Sequence, residues 1–392
     1  MNVAITGGYV VPVNGPPIER GTVLIAGGRI AAVGSGIGVP EGMPVVDATG
    51  LWVLPGFVEA HAHLGLGEEG EDAAGEDLNE KGVLNGAHLR AIDGINPAEP
   101  GFGDALSGGV TTAVILPGSA NPIGGQAVAV KCAGRTVDEM VVRDPVGVKS
   151  ALGENPKRHA TSTRLGTAAV IRAAFRAARE DPAQEVLRRV LGGELPWCQH
   201  AHRADDIATA LRLADEFGYR LVIHHGTEAH LLADLLAERA VPVISGPLFT
   251  SRSKVELRNR TLRSPGLLAA AGVQVAITTD HSCVPIQLLV HQATLAMKEG
   301  LDRESALRSI TVNPATIMGV ADRVGSLRPG LDGDVVLWSG DPLDVMSRAV
   351  RVFVAGREVY RQGGDATDAA GAGGGDQRRT GSSSGTLTGP PS

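Results

Sequence analysis

Between Gly56 and Val320 the chain alternates short apolar runs with helical stretches, and this alternation constrains its fold more than any other feature. The runs are 55–60, 110–116, 127–131, 146–152, 196–199, 220–223, 241–245 and 273–279. Each is too short and too continuously apolar for a half-exposed strand, and Gly or Pro turns bound most of them, which reads as buried strands. Helical periodicity fills several intervals, as at 164–180 and 207–217. Eight βα repeats over 265 residues predict an α/β fold, a (β/α)8 TIM barrel of eight parallel strands, whose usual length is about 250 residues.

The flanks differ in texture. Residues 3–5, 9–13, 21–25 and 29–33 are apolar runs separated by Gly and Pro turns, the pattern of short antiparallel strands. Similar runs return at 334–338 and 349–354, followed by a turn at 355–358. The two chain ends are therefore expected to pair into a small composite β-sandwich domain, residues 1–55 with 321–362, around a barrel at 56–320. The segment 363–392 holds nine Gly and a single large apolar residue, Leu387. It has too little to bury and is expected to be a disordered tail.

Composition removes whole classes. Three Cys in 392 residues make no disulfide framework. Cys132, Cys198 and Cys283 are read as reduced, buried and inert. A net charge of −7 with 3% aromatic residues argues against nucleic-acid partners, which require basic patches and stacking surfaces. The N-terminus lacks a basic and apolar leader, and no apolar run spans a bilayer. A cytoplasmic protein acting on a small-molecule substrate, without membrane attachment and possibly a homo-oligomer, is expected.

The eleven His are not scattered. His61 and His63 end the first barrel strand and share a face, since side chains alternate with period two. His200 and His202 end the fifth, His224 and His225 the sixth, and Asp280 and His281 the eighth. Strand C-termini of a parallel barrel open on one rim. Four strand ends therefore gather imidazoles and a carboxylate, the ligands of a divalent metal.

The segments 55–63, 108–112, 200–202, 225–227, 279–280 and 315–319, with 324–334 leading back into the β-domain, make the chain resemble the amidohydrolase superfamily, in its imidazolonepropionase- and prolidase-like branch. The resemblance covers roughly residues 1–362. It implies one or two divalent ions, zinc first and manganese or iron as alternatives. By motif, the ligands are His61, His63, His200, His225 and Asp280, with His202 an alternative to His200. A bridging anion comes from Lys149, as a carboxylated lysine, or from Glu154, which is slightly favoured. His224 should face away from His225 and serve packing or support. Asp280 is the expected general base and acid, and His225, His202 or His281 would polarise a carbonyl. Together these imply hydrolysis of a C–N bond in an amide, cyclic amide or peptide-like substrate. A metal-assisted lyase or isomerase, or a non-catalytic binding protein, are the alternatives on the same scaffold.

Two polar segments bear on substrate. His88, Arg90 and Asp93 follow the first strand and either touch substrate or line an exposed helix. Arg252 and Arg258 follow the seventh strand and either bind a substrate carboxylate by bidentate pairing or are solvated.

Overall fold

The computed structural model describes residues 1–71 and 73–363. Two eight-stranded sheets organise them. The N-terminal strands are β1 (Val3–Val10), β2 (Ile18–Ala26), β3 (Arg29–Gly34), β4 (Val45–Asp47) and β5 (Trp52–Pro55). The barrel strands are β6 (Phe57–Ala62), β7 (Val110–Ile115), β8 (Ile123–Lys131), β9 (Val141–Ala151), β10 (Trp197–Ala201), β11 (Leu221–His225), β12 (Val243–Ser245) and β13 (Val275–Ile277). The C-terminal strands are β14 (Val335–Trp338), β15 (Ala349–Val354) and β16 (Arg357–Arg361).

All eight expected barrel strands are present, in sequence order from β6 to β13. One orientation departs from expectation. β8 runs antiparallel to both β7 and β9, while the other pairings are parallel. The cause is connection length: seven residues join β7 to β8, and a single four-residue helix, Val137–Met140, precedes β9. Parallel pairing needs a crossover of a dozen residues or more, so these links permit only reversal. The barrel is nearly closed. Between its end strands the His63 N–H donates to the His281 carbonyl at 2.9 Å, and the Thr278 hydroxyl donates to the His61 carbonyl at 2.8 Å.

One apolar residue from every barrel strand joins a single buried cluster: Val58, Val114, Ala129, Val146, Cys198, Val222, Ile244 and Ala276. Only the barrel interior lets all eight strands meet, so this cluster is its floor. Two residues beyond Cys198, Val222 and Ala276 come His200, His224 and Thr278, carried inward above that floor by the strand alternation. On the outer face Trp197 packs against Phe175 of the helix Arg164–Glu180, with ring centroids 4.7 Å apart. Tyr219 and Phe217 join the same aromatic group, with ring centroids 4.9 and 5.1 Å from Phe175.

The two chain ends share the second sheet, ordered β16-β15-β14-β5-β1-β2-β3 with β4 also on β1. Its strands are linked by pairing into one sheet that branches at β1. The expected strands at 3–5 and 9–13 are one strand, β1, which absorbs register shifts around Gly8; bulges of this kind let a strand continue through irregular pairing. The expected turn at 355–358 is shorter, and Arg357 and Glu358 already belong to β16. The chain passes from this sheet to the barrel at Gly56, where a β-carbon would stand 1.9 Å from Thr111 Oγ1. Lys131 bridges the sheets, with Nζ 3.0 Å from Asp332 Oδ2 and 2.6 Å from Asp334 Oδ2. Apart from Gly363, the expected tail lies outside the described residues. Among the described residues no helix is long and apolar enough to cross a membrane. Cys132 and Cys198 are buried, but Cys283 is exposed, on the turn just after Asp280.

Candidate metal centre

Asp280 stands at the centre of the rim. Its Oδ1 lies 3.4 Å from both His61 Nε2 and His63 Nε2, and its Oδ2 lies 3.9 Å from His225 Nδ1. His200, His202 and His225 form an adjoining group with one ligand atom each within 4.8 Å of the others. The rings of His200 and His225 are 4.3 Å apart. The expected ligands from β6, β10, β11 and β13 are therefore brought together.

Local backbone irregularities aim these groups. The β6–β7 register shifts between Glu59 and Ala62, which re-aims His61 into the mouth. His225 and Asp280 have φ of 72° and 53°. Left-handed backbone is unusual outside Gly and often sits at functional sites. At His225 it also overturns a sequence expectation. His224 does not face away: its Nδ1 lies 2.7 Å from His61 Nδ1, and the His61 ring is 4.8 Å from that of His224 and 4.7 Å from that of His225. The left-handed turn breaks the alternation that would have separated the two neighbours.

The hydrogen bonds set the tautomers. His63 Nδ1 donates to the Leu116 carbonyl at 2.7 Å, and His225 Nδ1 donates to the Gly246 carbonyl at 2.9 Å. A carbonyl can only accept, so the proton on each Nδ1 is fixed and Nε2 is the atom left to face the mouth. His202 Nδ1 is held by Thr227 Oγ1 at 2.8 Å. Metal-binding imidazoles are typically braced in this way through the other nitrogen. His200 is buried, and neither of its ring nitrogens has a partner among the described residues. A buried orphan of this kind costs about 1–3 kcal/mol, and a bound ion would satisfy it. By donor type, bracing and orphaned nitrogen, the residues fit a divalent ion.

Burial dominates the electrostatics. It holds His61, His200, His202 and His224 well below the usual imidazole range, and His225 down to about 4, so the rings are neutral. Burial alone would raise Asp280, but His225, His63 and Lys149 outweigh it and keep the carboxyl ionised. Lys149 is buried in β9, with Nζ 3.1 Å from His61 Nε2, and burial pulls it down to about 8.

Glu154 is elsewhere. Its Oε1 accepts from the Glu256 N–H at 3.0 Å and its Oε2 pairs with Arg158 at 3.0 Å. The chain leaves β9 two residues earlier and starts the helix Glu154–His159, which directs this carboxylate to the β12 loop. Between the two bridging candidates, Lys149 is the one in contact with the histidines. His88 and Asp93 are exposed, and Arg90 pairs with Asp144, which lies five residues before Lys149 in β9. At about 3.3 Å per residue Asp144 is roughly 16 Å from Lys149 along β9, so the ion pair of Arg90 points away from the site. Arg252 and Arg258 are also exposed, with Arg252 Nε donating to the Arg258 carbonyl at 3.1 Å. His281 does not join the His61 cluster and instead neighbours Glu69 and Glu99.

Three residues escaped the sequence reading. Glu59 is fully buried and accepts from Thr278 Oγ1 at 2.5 Å, Thr279 Oγ1 at 2.7 Å, Thr279 N at 2.8 Å and His61 N at 3.0 Å. It ties β6 to the turn carrying Asp280. Its place two residues before His61 was the available signal. Lys254 and Glu256 lie between Arg252 and Arg258, in the loop after β12. Glu256 Oε1 has no hydrogen-bond partner among the described residues and stands 3.7 Å from His202 Nε2 and 3.9 Å from Lys254 Nζ.

A barrel whose rim gathers imidazoles, a lysine and a carboxylate is the kind of scaffold that carries metal-assisted hydrolysis. Residues 141–360, more than half of the chain, match the model of the amidohydrolase family. A crystal structure of an amidohydrolase from Thermotoga maritima is 42% identical, with a TM-score of 0.89 over 92% of this chain and 100% of that one. The chain belongs to the amidohydrolase family, in which divalent metal is general. Amidohydrolase tasK of Hapsidospora irregularis is 28% identical over 88% of this chain, which spans 39% of the length of that relative. An imidazolonepropionase of Rhizorhabdus wittichii is 25% identical over 82% of this chain and 88% of its own.

Proposed function

We propose that the chain is a metal-dependent hydrolase of a C–N bond in a small amide, cyclic amide or peptide-like molecule. The observation that carries this reading is the Asp280 carboxylate, 3.4 Å from both His61 and His63, next to His225, which also belongs to the group of His200 and His202. His61, His63, His200, His225 and Asp280 would hold one or two ions, zinc, manganese or iron. Lys149, on taking up CO2 with loss of a proton, would offer a carbamate between the two groups of imidazoles. A bound divalent ion supplies Lewis acidity and a water of lowered pKa.

The remaining work falls to the chain's own side chains. Asp280 accepts the proton of the attacking water and returns it to the leaving nitrogen. His202, with Nδ1 fixed by Thr227, keeps its ring aimed at the oxygen that gains charge. Lys254, 27% exposed at the mouth, takes the role of carboxylate anchor, and Arg252 and Arg258 fall to the solvated alternative. Turnover of N-acyl amino acids, dipeptides and cyclic amides, imidazolones included, by wild type and Asp280→Asn tests the reading. General acid–base groups are worth about 100- to 10,000-fold, so the variant should lose that much with its melting temperature kept. Normal turnover in the variant would overturn the role of Asp280.

A further inference from the structure

A second convergence of titratable groups adjoins the turn that carries Asp280. Glu69, Glu99 and His281 each bring a ligand atom within 4.8 Å of the others. Glu99 is 2% exposed and His281 1%. Neither carboxylate oxygen of Glu99 and neither ring nitrogen of His281 has a hydrogen-bond partner among the described residues. The two side chains converge on Gly101, where a β-carbon would stand 2.7 Å from Glu99 Oε2 and 2.8 Å from His281 Nε2. Glu69 closes the group from the surface, its Oε1 3.9 Å from His281 Nε2.

Charge is unbalanced there. Burial raises the Glu99 carboxyl; the amides of Gly101 and Glu69 favour its ionised form without completing a hydrogen bond to it. Among the described residues no Lys or Arg forms an ion pair with Glu99, and Glu69 reaches only His281. Leaving two buried polar groups unpaired is destabilising, because neither regains the hydrogen bonds it gave up to water. A cation between them removes that cost. One imidazole and two carboxylates form a donor set suited to a first-row divalent ion.

We propose that Glu69, Glu99 and His281 form a second divalent-cation site, separate from the rim cluster and taking zinc or manganese. The His281 carbonyl accepts from the His63 N–H at 2.9 Å, so an ion on the His281 ring pins the turn that presents Asp280. The inference invokes no catalytic step and does not depend on the function proposed above.

Crystals of the full chain grown with manganese chloride, measured for anomalous scattering, test it. Wild type should give a peak between the three side chains as well as one at the rim. Glu99→Gln should lose the first and keep the second, with one manganese fewer per chain by elemental analysis. Glu69→Gln alters an exposed side chain and should weaken the same peak, which keeps the test open if the buried variant fails to fold. A filled rim with no peak at Glu99 in wild type overturns the proposal, and so does a peak of undiminished height in both variants. Wild-type crystals without manganese at either place overturn this site and the rim reading together.

Discussion

Glu59 gives the sharpest quantitative expectation. Its carboxylate is fully buried and pushed up to about 7, chiefly by burial, against the pull of the donors from Thr278, Thr279 and His61. The folded chain then holds this proton up to about pH 7, whereas an unfolded chain releases it near 4.5. Folded protein binds more protons across that window, so this group's contribution to stability falls as pH rises. At about 1.4 kcal/mol per pH unit the full loss is about 3 kcal/mol. Glu59→Gln keeps an acceptor for Thr278 and His61 but turns an amide donor toward the Thr279 N–H, a pH-independent cost of about 1–3 kcal/mol. Urea unfolding of both proteins from pH 4.5 to 7.5, in chelator so that metal binding adds no pH dependence of its own, isolates the carboxyl. The buried imidazoles titrate in both chains and cancel in the difference. The excess stability of wild type over variant should shrink by about 3 kcal/mol toward pH 7.5. A difference that stays flat, or grows with pH, would show that Glu59 is not held in this way.

Asp332 offers the opposite sign. Burial would raise it, but Arg323 at 2.9 Å and Lys131 at 3.0 Å hold it below the carboxylate range. Its contribution is present above the unfolded pKa and lost as pH falls through the folded one; Asp332→Asn should cost about 2 kcal/mol at pH 7 and progressively less in acid, as urea midpoints will report. Lys254→Met should raise KM for substrates bearing a carboxylate about tenfold, a loss typical of one charge-assisted contact, and leave their uncharged analogues unchanged in the same steady-state assay.

Much of the barrel was legible because its determinants are local. Buried apolar runs ending in His or Asp at β6, β10, β11 and after β13 announce both the strands and their rim. The helix Arg164–Glu180 was legible to the residue from its periodicity, its N-terminus marked by Thr163, which accepts from the Gly166 N–H at 3.0 Å. What was hidden depends on geometry that periodicity does not encode. The reversal of β8 follows from connection length. The shared direction of His224 and His225 follows from one left-handed residue. Lys149 and Glu154 lie five positions apart with the same apparent qualifications, and only the exit of the chain from β9 separates them. Lys254 was overlooked among stronger carboxylate binders because exposure, not residue type, decides which basic side chain overlooks the rim.

The claim that the rim cluster holds the metal on which C–N hydrolysis depends is met most directly by titration. Chain stripped of metal by chelator is titrated with zinc, and bound zinc and turnover of the best substrate from the panel are followed together. Turnover should rise from background in step with zinc bound, and His200→Ala should bind less zinc and recover less activity. Full turnover in the stripped chain, or zinc binding undiminished in His200→Ala, would contradict it.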